Sequence, residues 1–218
     1  GHLAMGTVVV TEPRDAYLSR VAAVNAGIPK ETPAFNVNRL CGSGLQAIIS
    51  ASQAITLGDC EVAVGAGAES MSRGAYLLPQ ARWGARMGDS PMLDYVVGAL
   101  HDPFHKIHMG MTAENVAEQF GISRTMMDEL SVESHRRAAA AIAAGRFKDQ
   151  IVPVMIKSRK GEVAFDTDEH VKADTTVETL GKMRAAFKKD GTVTAGNASG
   201  INDGAAAVVL AGGDAVKA

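Results

Sequence analysis

The residue best suited to covalent chemistry is Cys41, within Asn38-Arg39-Leu40-Cys41-Gly42-Ser43-Gly44 and just ahead of a long amphipathic stretch. A thiol at a helix opening meets unpaired amides and the positive end of the helix dipole. That setting favours thiolate over thiol, and hence nucleophilic attack. The small residues after Cys41 let a substrate carbonyl come close to the backbone. Acyl transfer is the leading reading, against the common fate of a free thiol as a buried structural side chain. A cysteine hydrolase fits less well, because no neighbouring His or Asn arrangement activates the thiol. Cys60, in Gly58-Asp59-Cys60-Glu61, reads as a structural thiol. His101, His105 and His108 follow an i, i+4, i+7 spacing, but Pro103 interrupts the helix, no Cys or carboxylate completes a set, and no metal is expected. Ser199, in Asn197-Ala198-Ser199-Gly200, reads from its neighbours alone as a turn former.

The elements around Cys41 alternate. Apolar residues at 17, 18, 21, 22 and 24 predict a helix over 14–27, with Gly27 as its stop. Residues 3–10 read as a strand or its approach, and 33–38 as a strand entering the Cys41 turn. The helix over 42–57 is expected to turn Leu45, Ile48, Ile49 and Ile55 to the core, and 61–70 to follow as a buried strand. This rhythm predicts an α/β sheet with covered faces. From Met71 to about Thr194 the texture loosens. An Arg-rich stretch over 80–88, helices over 112–120 and from Ser123 or Thr125 to Ala144, and a hairpin turning at Lys160-Gly161 are expected there. Thr125–Asp128 is close to a capping box. The sheet resumes near 204–211.

The 218 residues suffice for one large domain or two small ones, and 46% hydrophobic residues is ordinary for a globular chain. Twenty-three glycines and many alanines point to close packing of small side chains. A net charge of −2 argues against a nucleic-acid or membrane-surface partner. The two cysteines lack metal or redox spacing, so a reducing compartment is the default. No apolar run approaches the roughly 18 residues of a membrane span, and no signal peptide opens the chain.

Asn38–Gly44, His108-Met109-Gly110-Met111-Thr112-Ala113-Glu114-Asn115, and the run from Gly191 through Asn197-Ala198-Ser199-Gly200 to Ala205 occur in one order. In these motifs the chain resembles the thiolases, specifically the bacterial acetyl-CoA acetyltransferase or β-ketothiolase group. The resemblance implies a partial thiolase-like layered α/β sheet fold with an inserted loop domain. Its expected organisation is an N-terminal α/β part with the nucleophile over 1–70, a coenzyme A-binding and tetramerising loop domain over 71–195, and a return to the sheet over 196–218. It implies acyl transfer between acyl-CoA thioesters, by Claisen condensation or thiolytic cleavage of a 3-ketoacyl-CoA, through a thioester on Cys41. The Cys41 N–H would be one oxyanion donor.

His108 and Met109 resemble the family's pantetheine-contacting pair, and Ser199 a serine near the pantetheine and adenine end. Lys172 and Phe187 are further candidates, a cation for the nucleotide phosphates and an aromatic for the adenine. Coenzyme A thioesters are substrates, and no separate cofactor is implied. A cytoplasmic homotetramer through residues 71–100 is expected, with burial in a core as the alternative for Met87, Met92 and Leu93. The family's Gly-His-Pro and Cys-x-Gly motifs are missing: Leu3 follows His2, and Glu61-Val62 follows Cys60. The chain is therefore expected to be an internal thiolase portion, without its first strand-helix and C-terminal half, and inactive alone. A ketoacyl-synthase-like condensing enzyme and a non-catalytic coenzyme A-binding module are the alternatives.

Overall fold

The expected first strand forms β1 (His2–Gly6), the most deeply buried strand of a computed structural model that describes residues 1–159 and 161–217. Next come α1 (Leu18–Asn25), β2 (Ala34–Val37), α2 (Ser43–Thr56), β3 (Val62–Ser70), the short pair β4 (Tyr76–Leu77) and β5 (Leu93–Asp94), and α3 (Tyr95–Ala99). There follow α4 (Met109–Phe120), α5 (Arg124–Ala143), the hairpin β6 (Val154–Ser158) and β7 (Gly161–Phe165), α6 (Val177–Gly181), β8 (Asp203–Ala211) and α7 (Gly213–Lys217).

The chain divides into two units, Gly1–Phe104 with Ile201–Ala218, and His105–Gly200. The second unit covers 105–200, where the excursion was expected over 71–195. Residues 71–104 stay with the sheet unit because their backbone is tied to it. Ala75 N–H donates to Val10 O at 2.9 Å, and Tyr95 N–H to Ala75 O at 3.1 Å. The Asp203 carboxylate accepts from Ser72 N–H at 2.9 Å.

In the first unit the strand order is β2-β1-β3-β8. β1 runs parallel to β2 and β3, and β8 closes the edge antiparallel to β3, from Val62 opposite Ala211 to Ser70 opposite Asp203. Alternation along β1 separates the faces. Leu3 and Met5 meet Ala23, Leu18 and Ala22 of α1. The opposite face takes α2 at very short range. A Cβ on Gly6 would lie 2.6 Å from the Ser43 carbonyl carbon, and one on Gly65 would lie 2.8 Å from Ile48 Cα. Only small residues fit such an approach, so α2 buries Ser43, Ala47 and Ala51 instead of its large side chains. Leu45 and Ile49, expected in the core, are 65% and 40% exposed.

The helix predicted over 14–27 opens as a 3-10 turn, Pro13–Tyr17, before α1. Asp15 fixes that turn by accepting from Thr11 N–H at 2.7 Å and Thr11 Oγ1 at 2.8 Å.

In the second unit α5 starts one residue after Ser123, whose hydroxyl caps it by accepting from Met126 N–H at 3.2 Å. The box expected at Thr125–Asp128 does not form, because Asp128 is buried and turned to other partners. The β6–β7 hairpin forms in the register Val154–Phe165 to Ser158–Gly161, and Lys160 of its expected turn lies outside the described residues. No described helix is long and apolar enough to cross a membrane.

Candidate active site

Cys41 is exposed and stands two residues before the first residue of α2. The turn that presents it carries unusual backbone. Leu40 has φ of +49°, a left-handed conformation that is uncommon for a non-glycine residue. Ser43 fixes the turn from beneath, its hydroxyl accepting from Arg39 N–H at 2.8 Å and donating to Leu40 O at 2.6 Å. Asn38 Oδ1 accepts from Leu40 N–H at 3.0 Å, and Arg39 Nη1 donates to Gln46 Oε1 at 2.6 Å. The side chains before and after the cysteine therefore serve to hold the backbone, and Cys41 itself is exposed. Cys60 is half-buried and is not bonded to it.

The five expected coenzyme A residues all fall in the second unit. α4 begins at Met109, three residues before the expected Thr112, because His108 caps it. His108 Nδ1 accepts from Gly110 N–H at 3.0 Å, which places the ring proton of the neutral imidazole on Nε2. The His108 ring stacks on Phe187, with centroids 4.8 Å apart and planes at 19°. Two residues read separately in the sequence are thus one surface, with Met109 40% exposed beside them. The stack depends on Gly110, since a Cβ there would come within 2.3 Å of the Phe187 ring. Ser199 and Lys172 are exposed, and Lys172 N–H donates to His135 Nδ1 at 3.2 Å.

Two residues that hold this unit together were missed in the sequence. Glu114, only 4% exposed, receives Thr192 N–H at 2.9 Å, Thr192 Oγ1 at 2.8 Å and Val193 N–H at 2.8 Å. Burial pushes its carboxyl upward, but these hydrogen bonds together outweigh burial and bring it below the ordinary range. Asp128, 2% exposed, accepts from Arg124 Nε at 2.7 Å and Asn197 Nδ2 at 3.0 Å. Glu114 stands inside the motif His108–Asn115, so its sequence signal was a carboxylate on the apolar side of a predicted helix. Asp128 gave none beyond its place in a false capping box. Among the described residues no cluster of three His, Cys, Asp or Glu side chains is arranged to hold a metal.

The fold, and the order of its motifs, match a known family along almost the whole chain. The model of the thiolase N-terminal domain matches residues 1–214, and the chain belongs to the thiolase family. A beta-ketothiolase BktB of Cupriavidus necator is 66% identical over 96% of this chain and 54% of its own length. An acetyl-CoA acetyltransferase of Pseudomonas aeruginosa is 50% identical over 92% of this chain and 51% of its own. Among solved structures, human mitochondrial 3-ketoacyl-CoA thiolase superposes with a TM-score of 0.94 at 44% identity, over 99% of this chain and 55% of that one. The same human protein in complex with CoA gives 0.92 at 43% identity, over 99% and 54%. The chain therefore spans about half the length of the relatives it matches. These matches favour a thiolase over a ketoacyl-synthase-like condensing enzyme.

Proposed function

We propose that the protein containing this chain transfers acyl groups between coenzyme A thioesters through a thioester on Cys41. The observation that carries this reading is the exposed residue Cys41, held at the opening of α2 by a left-handed Leu40 and the Ser43 hydroxyl. In the first half-reaction the thiolate attacks the carbonyl carbon of an acyl-CoA. The carbonyl oxygen becomes an oxyanion received by the Cys41 N–H, and coenzyme A leaves as a thiolate that takes up a proton. In the second, the carbanion of another acyl-CoA attacks the acyl-enzyme, a carbon–carbon bond forms, and Cys41 is released. Cleavage of a 3-ketoacyl-CoA is the same sequence reversed. No proton-transferring group is assigned among these residues, and thiolysis by this chain alone is not expected.

His108, Met109 and Phe187 supply a polar edge, a flexible apolar side chain and an aromatic face for the pantetheine and adenine parts of coenzyme A. Ser199 adds a hydroxyl, and Lys172 a charge for the phosphates. A relative solved in complex with CoA supports coenzyme A as the ligand class, and the residue roles rest on the stack and exposure described above. A cytoplasmic homotetramer joined through residues 71–100 belongs to the same reading. It is supported by the free thiols, by Trp83 at 78% exposure, and by Met87, Met92 and Leu93, which are 105%, 66% and 48% exposed where core burial was the alternative.

The test is to incubate the protein expressed from its complete gene with radiolabelled acetyl-CoA and to map the label by peptide digestion. Label should fall on the peptide holding Cys41 and vanish in Cys41→Ala. Label that survives the substitution refutes the reading.

A further inference from the structure

The second unit closes on itself through a ring of contacts that begins and ends on α4. His108, at the head of the helix, stacks on Phe187. The residue before Phe187, Ala186, donates its N–H to Val193 O at 2.9 Å. Val193 N–H in turn donates to Glu114 Oε1 at 2.8 Å, and Glu114 lies on α4, below His108. Gly191, at the start of the loop, has no room for a side chain, because a Cβ would stand 2.3 Å from Glu114 Oε1. The far end of the loop is held from α5. Asn197 Oδ1 accepts from Thr194 N–H at 2.8 Å, and Asn197 Nδ2 donates to Thr192 O at 3.1 Å and to Asp128 Oδ1 at 3.0 Å. Arg124 neutralises Asp128 and also donates to Leu180 O, and to Met183 O at 3.3 Å. Two buried carboxylates thus hold one loop, beside the buried apolar Ala117, Leu180 and Val193.

A hydrophobic contact fixes spacing loosely. A carboxylate that accepts several charge-assisted hydrogen bonds fixes each donor to a few tenths of an ångström. Each buried carboxylate is costly in apolar surroundings and is satisfied only if every partner is in place. Glu114 and Asp128 spend this constraint on residues 192–197, which lie between Phe187 and Ser199.

We propose that Glu114 and Asp128 are positioning residues for coenzyme A: Glu114 sets Phe187 against His108, and Asp128, through Asn197, sets Ser199. The inference rests on the coenzyme A reading given above. It predicts that loss of Glu114 damages ligand binding through geometry, with no direct contact to the ligand.

The experiment uses Glu114→Gln and Asp128→Asn in the protein expressed from its complete gene, with His108→Ala and Ser199→Ala as references. Folding is checked by thermal unfolding, CoA affinity is read by calorimetry, and KM for acyl-CoA is separated from kcat. Glu114→Gln keeps the side-chain shape but offers an amide donor to a pocket of donors. It is expected to raise the CoA Kd and the acyl-CoA KM on the order of tenfold, with the rate of Cys41 alkylation by iodoacetamide changed less than about twofold. If Glu114→Gln does not fold, Thr192→Val removes one donor and should give a smaller rise in the same quantities. A folded Glu114→Gln or Thr192→Val that binds CoA like the wild type, while His108→Ala weakens binding, overturns the positioning role and leaves the coenzyme A site standing. Unchanged CoA binding in His108→Ala and Ser199→Ala overturns the site itself.

Discussion

Gly110→Ala is the sharpest test of how the second unit presents His108. Gly110 is the second residue of α4, where alanine would ordinarily stabilise the helix by up to about 1 kcal/mol. Here the added methyl would stand 2.3 Å from two atoms of the Phe187 ring and 2.4 Å from a third. Carbon atoms rest at about 3.5–4.0 Å, so the ring must retreat by roughly 1 Å or more. Such overpacking costs about 1–3 kcal/mol. Loss of the stack with His108, now at 4.8 Å, adds about 0.5–1.5 kcal/mol. Against a helix gain of about 1 kcal/mol, the net loss is about 0.5–3.5 kcal/mol, and each kcal/mol lowers Tm by about 2–4 °C in a chain of this size.

The assay is thermal unfolding by circular dichroism, paired with CoA titration by calorimetry. Gly98→Ala serves as the control, because a Cβ there meets nothing within 4 Å and should leave Tm unchanged or raise it. The double variant Gly110→Ala/Phe187→Ala removes the ring that is struck, and should lose less stability than the sum of the single changes. A Gly110→Ala protein as stable as the control, with CoA affinity intact, refutes both the clash and the role of the stack.

Gly6→Ala would drive a methyl to 2.6 Å from the Ser43 carbonyl carbon, which is backbone and cannot rotate away; a loss of about 1–3 kcal/mol in denaturant unfolding, with altered Cys41 alkylation, is expected. Ser43→Ala strips both hydroxyl bonds from the Cys41 turn and should cost about 1–3 kcal/mol while altering the alkylation rate, since Arg39 N–H loses its acceptor. Leu40→Val places a β-branched side chain at φ +49° and should destabilise by about 1–2 kcal/mol, whereas Leu40→Gly should be near neutral. Glu114 also has a pH signature. Its folded carboxyl is lowered from 4.5, so the unfolded chain binds the proton more readily; its stabilising effect is complete above pH 4.5 and is lost as pH falls through the folded value. Acid unfolding of Glu114→Gln should lack this contribution, and identical acid limbs for variant and wild type would contradict it.

The chain alone determined what depends on local pattern. The helices and strands around Cys41 follow from apolar periodicity and from glycine stops, and the cysteine's place at a helix start from the small residues behind it. The motifs that relate the chain to the thiolases are likewise contiguous runs, so they needed no coordinates. What the tertiary structure decided was everything set by distance between segments. Leu45 and Ile49 have core-facing periodicity, yet they are displaced by Gly6 and Gly65, strand residues whose missing side chains let α2 settle onto the sheet through Ser43, Ala47 and Ala51. His108 and Phe187 are 79 positions apart in the numbering and meet only because Gly110 leaves room for a ring. Glu114 and Asp128 read as ordinary helix carboxylates until the loop 192–197 folds over them, because a buried charge is recognised by its partners and those partners come from distant sequence.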